Sequence, residues 1–184
     1  MTTSLQSRIH AELAWTWRDT LGDSPIIFSN RLQFAKDLAD GAGDNQADAV
    51  WYARNQTITA GQSTTYDLDM LDQTMFGDTI TIPFVRIKGL LIVNKNTVGD
   101  GYLLIGGAAT NEWSEPFGAS GDTLAVMPAS PLLLANVRDG WEVTFAARSL
   151  KVTAVGEDVT FDISAIGTLS GGSGESSSSS SFVK

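Results

Sequence analysis

The residues best suited to proton transfer in this chain are its single histidine and a glutamate two positions later. His10 and Glu12 lie in an alternating segment, and side chains two apart in a strand point to the same side. An imidazole beside a carboxylate can move a proton near neutral pH. The neighbouring residues suggest no activated nucleophile, so we interpret the pair as part of a polar strand face.

Two groups of aspartates could serve a cation or a glycosidic bond. Asp40, Asp44 and Asp48 lie in a loop with glycine and asparagine and offer the oxygen ligands that calcium prefers. Their spacing does not fit an EF-hand loop, so we predict a solvated turn without metal and keep calcium as the alternative. Asp67 and Asp69 alternate with apolar residues and lack the partner carboxylate that glycoside hydrolysis needs. We predict no catalytic residue and no cofactor.

Five tryptophans raise the question of a carbohydrate-binding platform. Trp15 and Trp17 lie on the apolar face of an alternating segment, so we expect them in the core. Trp113 and Phe117 lie in the long connection 108–122 and are better placed for an exposed contact. A core or subunit-interface role is our preferred interpretation, and sugar stacking is the alternative.

The segments that position these residues have a period of two, which is typical of half-buried strands. The pattern predicts a strand at 9–17, whereas 29–38 is compatible with a strand or a short helix. The last three predicted strands are regularly spaced, at 141–146, 149–155 and 159–166. We therefore predict an all-β fold, an antiparallel β-sandwich or jelly-roll of about eight to ten short strands.

The strongest predicted strand covers residues 84–93, and one of its faces mixes apolar and basic side chains. Its apolar content places the strand centrally in a sheet. We expect the mixed face to form a subunit interface, together with two aromatic residues of the long connection. The predicted interface residues are Phe84, Arg86, Lys88, Leu90, Ile92, Trp113 and Phe117.

The composition along the chain changes at two places. Residues 1–38 are predicted to form an N-terminal strand or arm, and residues 39–167 the β-sandwich body. Residues 168–184 are rich in glycine and serine, which predicts a flexible tail.

Overall charge and composition exclude several functions. The 184 residues include 12 basic and 21 acidic residues, for a net charge of −9, which disfavours nucleic acid and anionic lipid as partners. The absence of cysteine excludes disulfides and thiolate metal sites. No apolar stretch is long enough to cross a bilayer, and the N-terminus lacks the apolar region of a secretory signal.

Six motifs follow one another between residue 40 and residue 168, at residues 41–48, 66–71, 76–93, 104–111, 131–134 and 159–167. Their order resembles that of small virion structural proteins of tailed bacteriophages. Capsid decoration (cement) proteins with a β-sandwich are the expected members of this group. One departure is MPASP at 127–131, where the resembling proteins have a Pro-Gly-Gly turn.

The resemblance implies a non-enzymatic virion component, assembled in the cytoplasm of a bacterial host. We expect a homo-oligomer, specifically a trimer, that binds the major capsid protein or another virion protein and stabilises the head. Residues 1–38 would reach a neighbouring subunit. One alternative is a tail, collar or fibre-associated subunit. A second alternative is a carbohydrate-binding module that uses Trp113 and Phe117, with calcium held by Asp40, Asp44 and Asp48.

Overall fold

The computed structural model describes residues 4–21, 24–75 and 77–169, in which every helix or strand element is a β-strand. The predicted all-β class is therefore confirmed, although the thirteen strands exceed the eight to ten expected. The described residues include no helix able to span a bilayer. The strands are β1 (Ser7–Leu21), β2 (Ser24–Leu38), β3 (Ala49–Ile58), β4 (Ser63–Asp67), β5 (Leu71–Met75), β6 (Asp78–Ile82), β7 (Arg86–Asn94), β8 (Tyr102–Gly106), β9 (Thr123–Val126), β10 (Pro131–Ala135), β11 (Trp141–Glu142), β12 (Ser149–Val155) and β13 (Val159–Thr168).

The first two strands form a long antiparallel ribbon that is a sheet of its own. Pairing runs without interruption from Ser7 opposite Leu38 to Leu21 opposite Ser24. Fifteen residues per strand correspond to a length of about 50 Å at about 3.3 Å per residue. The undecided segment 29–38 is thus a strand. We call β1 and β2 together the ribbon.

The remaining strands build a sandwich of two antiparallel sheets. One sheet has the order β10-β7-β13-β3, and β11 extends it beside β7; the other has the order β4-β12-β8-β9. Strands β5 and β6 form a separate hairpin. As predicted, β7 is an interior strand, because β10 and β13 flank it.

The core lies between the two sheets and follows from the alternation of apolar residues. In β13, Phe161, Ile163 and Ala165 are buried and alternate with half-buried residues. Leu150 and Val152 of β12 face them from the opposite sheet. Burying a side chain of this size stabilises the fold by about 1.5–3 kcal/mol, so these two strands supply much of the sandwich's stability.

Two predicted boundaries differ from the structure. The strand expected at 141–146 is reduced to the two residues of β11, because the chain turns at Thr144 and Ala147, which bond to each other. Thr168, placed in the predicted tail, is the last residue of β13 and is fully buried. The rest of that tail, from residue 170 to residue 184, lies outside the described residues.

Candidate interaction surface

The ribbon has one strongly apolar face. Directly paired residues of two strands lie on the same side of a sheet, so the odd residues of β1 share a face with the even residues of β2. Seven large apolar side chains on this face are between 42% and 72% exposed. We call this surface the apolar face; its seven residues are Leu13, Trp15, Trp17, Ile26, Phe28, Leu32 and Phe34.

The opposite face of the ribbon is mainly polar, although Ile27 lies on it and is 60% exposed. His10 and Glu12 lie on it and are exposed, as the alternation predicts. Glu12 pairs with Arg31 at 3.9 Å, and the hydroxyls of Thr16 and Ser29 are 3.1 Å apart. Exposed ion pairs of this kind stabilise a fold by at most about 1 kcal/mol. This face therefore keeps the ribbon soluble without anchoring it.

The expectation that Trp15 and Trp17 lie in the core is wrong. The alternation gives the correct face, but that face has no second layer among the residues that the structure describes, and Trp17 is 72% exposed. Sequence reasoning also missed Phe28, Leu32 and Phe34, which continue the same face on β2. Their even spacing from residue 26 onward was the signal that could have identified them.

The ribbon is anchored to the body at its base. Ile9 and Leu38 are buried there with Ala47, and Leu133 and Ile166 pack against them. The last two side chains belong to β10 and β13 and lie on the sheet face that points away from the sandwich core, since their neighbours along each strand alternate with them. The base thus rests on the outer face of the five-stranded sheet, and the rest of the apolar face is left exposed.

The interface predicted on β7 and on Phe84, two residues before it, is mostly not exposed. Phe84, Lys88, Leu90 and Ile92 are at most 1% exposed, and only Arg86 is partly accessible. The register with β13 shifts where Gly167 pairs with Ile87 and Ile166 with Gly89. This bulge leaves Lys88 unpaired in the ladder and displaces the alternation by one residue. Leu90 and Ile92, which follow the bulge, therefore point into the core. Phe84 precedes the strand and is buried in the same core.

Lys88 is buried and binds two loop carbonyls. Its Nζ atom donates to the carbonyl of Gly43 at 3.4 Å and to the carbonyl of Arg138. Burial lowers the pKa of this ammonium, and the nearby carboxylate of Asp44 opposes the shift. A buried charge needs such partners, so Lys88 joins two loops at the end of the sheet.

Trp113 does not form a binding platform. It is fully buried, and its indole N–H donates to the carbonyl of Glu142 at 2.9 Å. Phe117 and Trp141 pack edge-on against it, with ring centroids 6.2 and 6.1 Å away. The prediction of an exposed contact at Trp113 is therefore wrong, and Phe117 is half-buried beside it. The carbohydrate-binding alternative loses its proposed platform.

The three aspartates proposed as an alternative calcium site have separate structural partners. The residues that the structure describes include no group of three acidic, histidine or cysteine side chains arranged to hold a metal ion. The partners are the amide of Leu5 for Asp40 at 3.0 Å, Arg138 for Asp44 at 3.7 Å, and the amide of Leu169 for Asp48 at 2.9 Å.

The carboxylates near β4 are also engaged in contacts that hold the body together. Asp69 pairs with Arg148 at 3.0 Å, and both side chains are mostly buried. Asp67 accepts a hydrogen bond from the Ser149 hydroxyl at 2.8 Å. Both aspartates therefore connect the end of β4 to the start of β12 and to Arg148, the residue before it.

A comparison with protein-family models and with curated protein sequences finds no match to this chain. The chain's own surfaces are therefore the guide to its function. Of these, the apolar face of the ribbon combines the most extensive exposure with the most regular geometry.

Proposed function

We propose that this chain is a non-enzymatic structural protein of a tailed-bacteriophage virion, acting as a head decoration (cement) protein. One observation carries the proposal: a ribbon anchored at its base to a β-sandwich exposes seven large apolar side chains. An isolated two-stranded hairpin is marginally stable, and monomeric proteins rarely expose large apolar patches. The ribbon therefore serves as an adhesive arm.

The body and the arm have separate tasks in this proposal. The sandwich body binds the particle surface through the major capsid protein or another virion protein, and the arm holds a neighbouring copy. Many weak contacts on one particle add to a strong attachment, because each bound copy raises the effective concentration of the next. The resemblance of residues 40–168 to phage virion proteins supplies the class of particle.

The distribution of charge supports a protein partner. Residues 7–38 contain four basic and four acidic residues, so the whole charge of −9 belongs to the rest of the chain. An acidic body is a poor ligand for nucleic acid. Asp48, Asp67 and Asp69 make structural contacts within the body, which supports a role without catalysis.

Adding the purified chain back to particles tests this function. Heads of the phage that encodes the chain, assembled without it, are mixed with increasing amounts of protein and separated by sedimentation. We expect binding that saturates at a fixed number of copies per head, and a higher temperature of head disruption. Heads that bind no protein would contradict the proposal.

A tail, collar or fibre-associated position is the alternative, since an adhesive arm can also join subunits into a ring or tube. The same preparations distinguish the two positions. A tail subunit would be absent from tailless heads and would assemble into rings or tubes when purified. A decoration protein would be present on tailless heads and would add back to them.

A further inference from the structure

We infer that the apolar face of the ribbon is an interface for a second copy of this chain, whose own apolar face packs against it, which gives a dimer in solution in place of the trimer that the resemblance implies. The inference rests on the adhesive role of the arm in the proposed function, and it names the arm's partner. Two ribbons with their apolar faces together form a small sandwich, with the sheets about 10 Å apart.

The exposed area of the apolar face is what a stable pair requires. Its seven large side chains are 42–72% exposed, which corresponds to roughly 800 Å² if each fully exposed side chain presents about 200 Å². Specific interfaces of standard size bury about 800 Å² on each partner. Two apolar faces therefore offer enough area for an interface of standard size.

Within the described residues, the apolar face of the ribbon is also the surface best suited to pack against a copy of itself. Sixteen large hydrophobic side chains are exposed in this part of the chain: seven lie on the apolar face, Ile27 lies on the other face of the ribbon, and eight lie outside the ribbon. The outer face of the five-stranded sheet has exposed Tyr52 and Leu91, but Arg54, Lys95 and Asp162 lie among them. An apolar ribbon placed there would desolvate Arg54 and the ion pair between Lys95 and Asp162, which costs free energy without adding a partner.

The charges of the molecule permit contact between two ribbons. Residues 7–38 have no net charge, whereas the rest of the chain has a charge of −9. Two acidic bodies repel each other, so contact is least costly where the neutral arms meet. The arms project from the bodies, and pairing through them keeps the acidic surfaces apart.

The position of one polar residue suggests the centre of the pair. The exposed part of the apolar face runs from Ala11 opposite Phe34 to Asp19 opposite Ile26. Asn30, opposite Trp15, occupies its middle row. In a two-fold pair the same surface meets itself, so Asn30 lies near Asn30 of the second copy. A polar residue inside an apolar interface can fix the register of a pair, as it does in coiled coils. The other polar residue of this stretch, Asp19, lies in its end row.

Charge substitutions on the two faces of the full chain test this pairing in solution. Leu32→Arg places a charge on the apolar face. Gln33→Arg places the same charge at the adjacent residue, whose side chain lies on the opposite, polar face. Their masses are measured by sedimentation over a range of concentrations. We expect a dimer for the wild type and for Gln33→Arg. For Leu32→Arg we expect a dissociation constant raised at least about 100-fold, because each copy would bury a charge without a partner. At 1.4 kcal/mol for each tenfold, this is a loss of about 2.8 kcal/mol.

Cross-linking identifies the contacting face directly, because the chain contains no cysteine. Asn30→Cys provides a thiol at the centre of the apolar face, and Ser29→Cys provides one on the polar face. The sheets are too far apart for a disulfide, so a short bismaleimide is used. We expect covalent dimers from Asn30→Cys and none from Ser29→Cys under the same conditions.

Several results would overturn the pairing. These are a monomer at all concentrations, a dimer that Leu32→Arg leaves intact, a trimer, or a monomer that co-sediments with phosphatidylcholine vesicles. Circular dichroism and thermal unfolding of Leu32→Arg confirm that its body is folded. The test needs no phage particles: a dimer that fails to bind heads refutes the proposed function alone, and a monomer that binds them refutes the pairing alone.

Discussion

The Cδ1 atom of Ile9 lies 2.7 Å from the point where a side chain at position 89 would place its Cβ atom. Gly89 belongs to the interior strand β7, and Ile9 belongs to the base of the ribbon. Because Gly89 has no side chain, Ile9 of the ribbon can rest directly on β7. This contact fixes the direction in which the arm leaves the body.

Gly89→Ala is expected to loosen the base of the ribbon while the sandwich core stays folded. The added methyl group displaces the end of a flexible side chain, so the cost should be about 1 kcal/mol, at the low end for overpacking. Hydrogen exchange measured on the full chain should be faster in residues 7–9 and 36–38 and unchanged in β12 and β13.

Combining this change with Ile9→Val provides the control. Valine lacks the Cδ1 atom, so the double variant should exchange more slowly at the ribbon base than the sum of the single effects predicts. Equal exchange in the wild type and Gly89→Ala would show that the contact does not hold the ribbon.

A glycine in the neighbouring row of the same sheet should behave differently. A Cβ atom at Gly167 would overlap the backbone carbonyl oxygen of Arg86 and would lie 3.0 Å from the ring of Phe84. Backbone in the middle of a sheet cannot yield as a side-chain end does. Gly167→Ala should lower the free energy of unfolding by about 2–3 kcal/mol, measured by chemical denaturation.

Gly89→Ala is the matched control for this substitution, since both add one methyl group to a paired strand at the same bulge. The loss of stability should be clearly larger at position 167. Equal losses at the two glycines would mean that the obstacle at Gly167 is not the backbone of Arg86.

The alternation of apolar residues was enough to predict the strands but not what covers them. In β13 the predicted faces are correct, because each inward residue meets the opposite sheet. The same rule applied to Trp15 and Trp17 correctly places both on one face, but it predicts that they are buried, whereas both are exposed. Whether a face is covered depends on a second layer, and the sequence of one strand contains no information about that layer.

The bulge at Lys88 could not be predicted from its own strand for a related reason. Strict alternation assigns Phe84, Leu90 and Ile92 to an outer face together with Arg86 and Lys88. The shift arises in the pairing with β13, where Gly167 lets two backbones approach closely. A register shift is a property of two strands, and a pattern within one strand does not reveal it.

A buried amide is expected to hold three strand ends together. Asn94 is fully buried, and its side chain donates to the carbonyls of Gly101 and Val126 at 3.0 and 3.2 Å. Its oxygen accepts the amide of Asn96 at 3.0 Å. Asn94→Ala leaves these groups unsatisfied, so the free energy of unfolding should fall by about 2–4 kcal/mol.

Denaturant unfolding of the wild type and Asn94→Ala measures this loss. The control is Asn96→Ala, which also removes an amide but at a partly exposed position, where water can replace the lost bonds. A loss for Asn94→Ala no greater than that for Asn96→Ala would contradict the assigned role.

The long connection between β8 and β9 should become less stable in acid. Glu112 accepts hydrogen bonds from the Ser120 hydroxyl at 2.6 Å and from the amides of Gly107 and Gly121, each at 2.8 Å. The bond from Ser120 is the largest cause that lowers the pKa of Glu112 below 4.5, and the two amides add to it while burial opposes it. The folded chain therefore holds this carboxylate in its charged form.

A carboxyl group with a lowered pKa stabilises the fold above its unfolded pKa, and this contribution is lost as the pH falls through the folded pKa. Unfolding of the wild type and Glu112→Gln is therefore compared from about pH 7 to about pH 3. The wild type should be the more stable at neutral pH, and the difference should shrink below pH 4.5. Ser120→Ala should move this decline to higher pH, because it removes the main cause of the shift. A difference between wild type and Glu112→Gln that is independent of pH would show that the charge of Glu112 does not hold the connection.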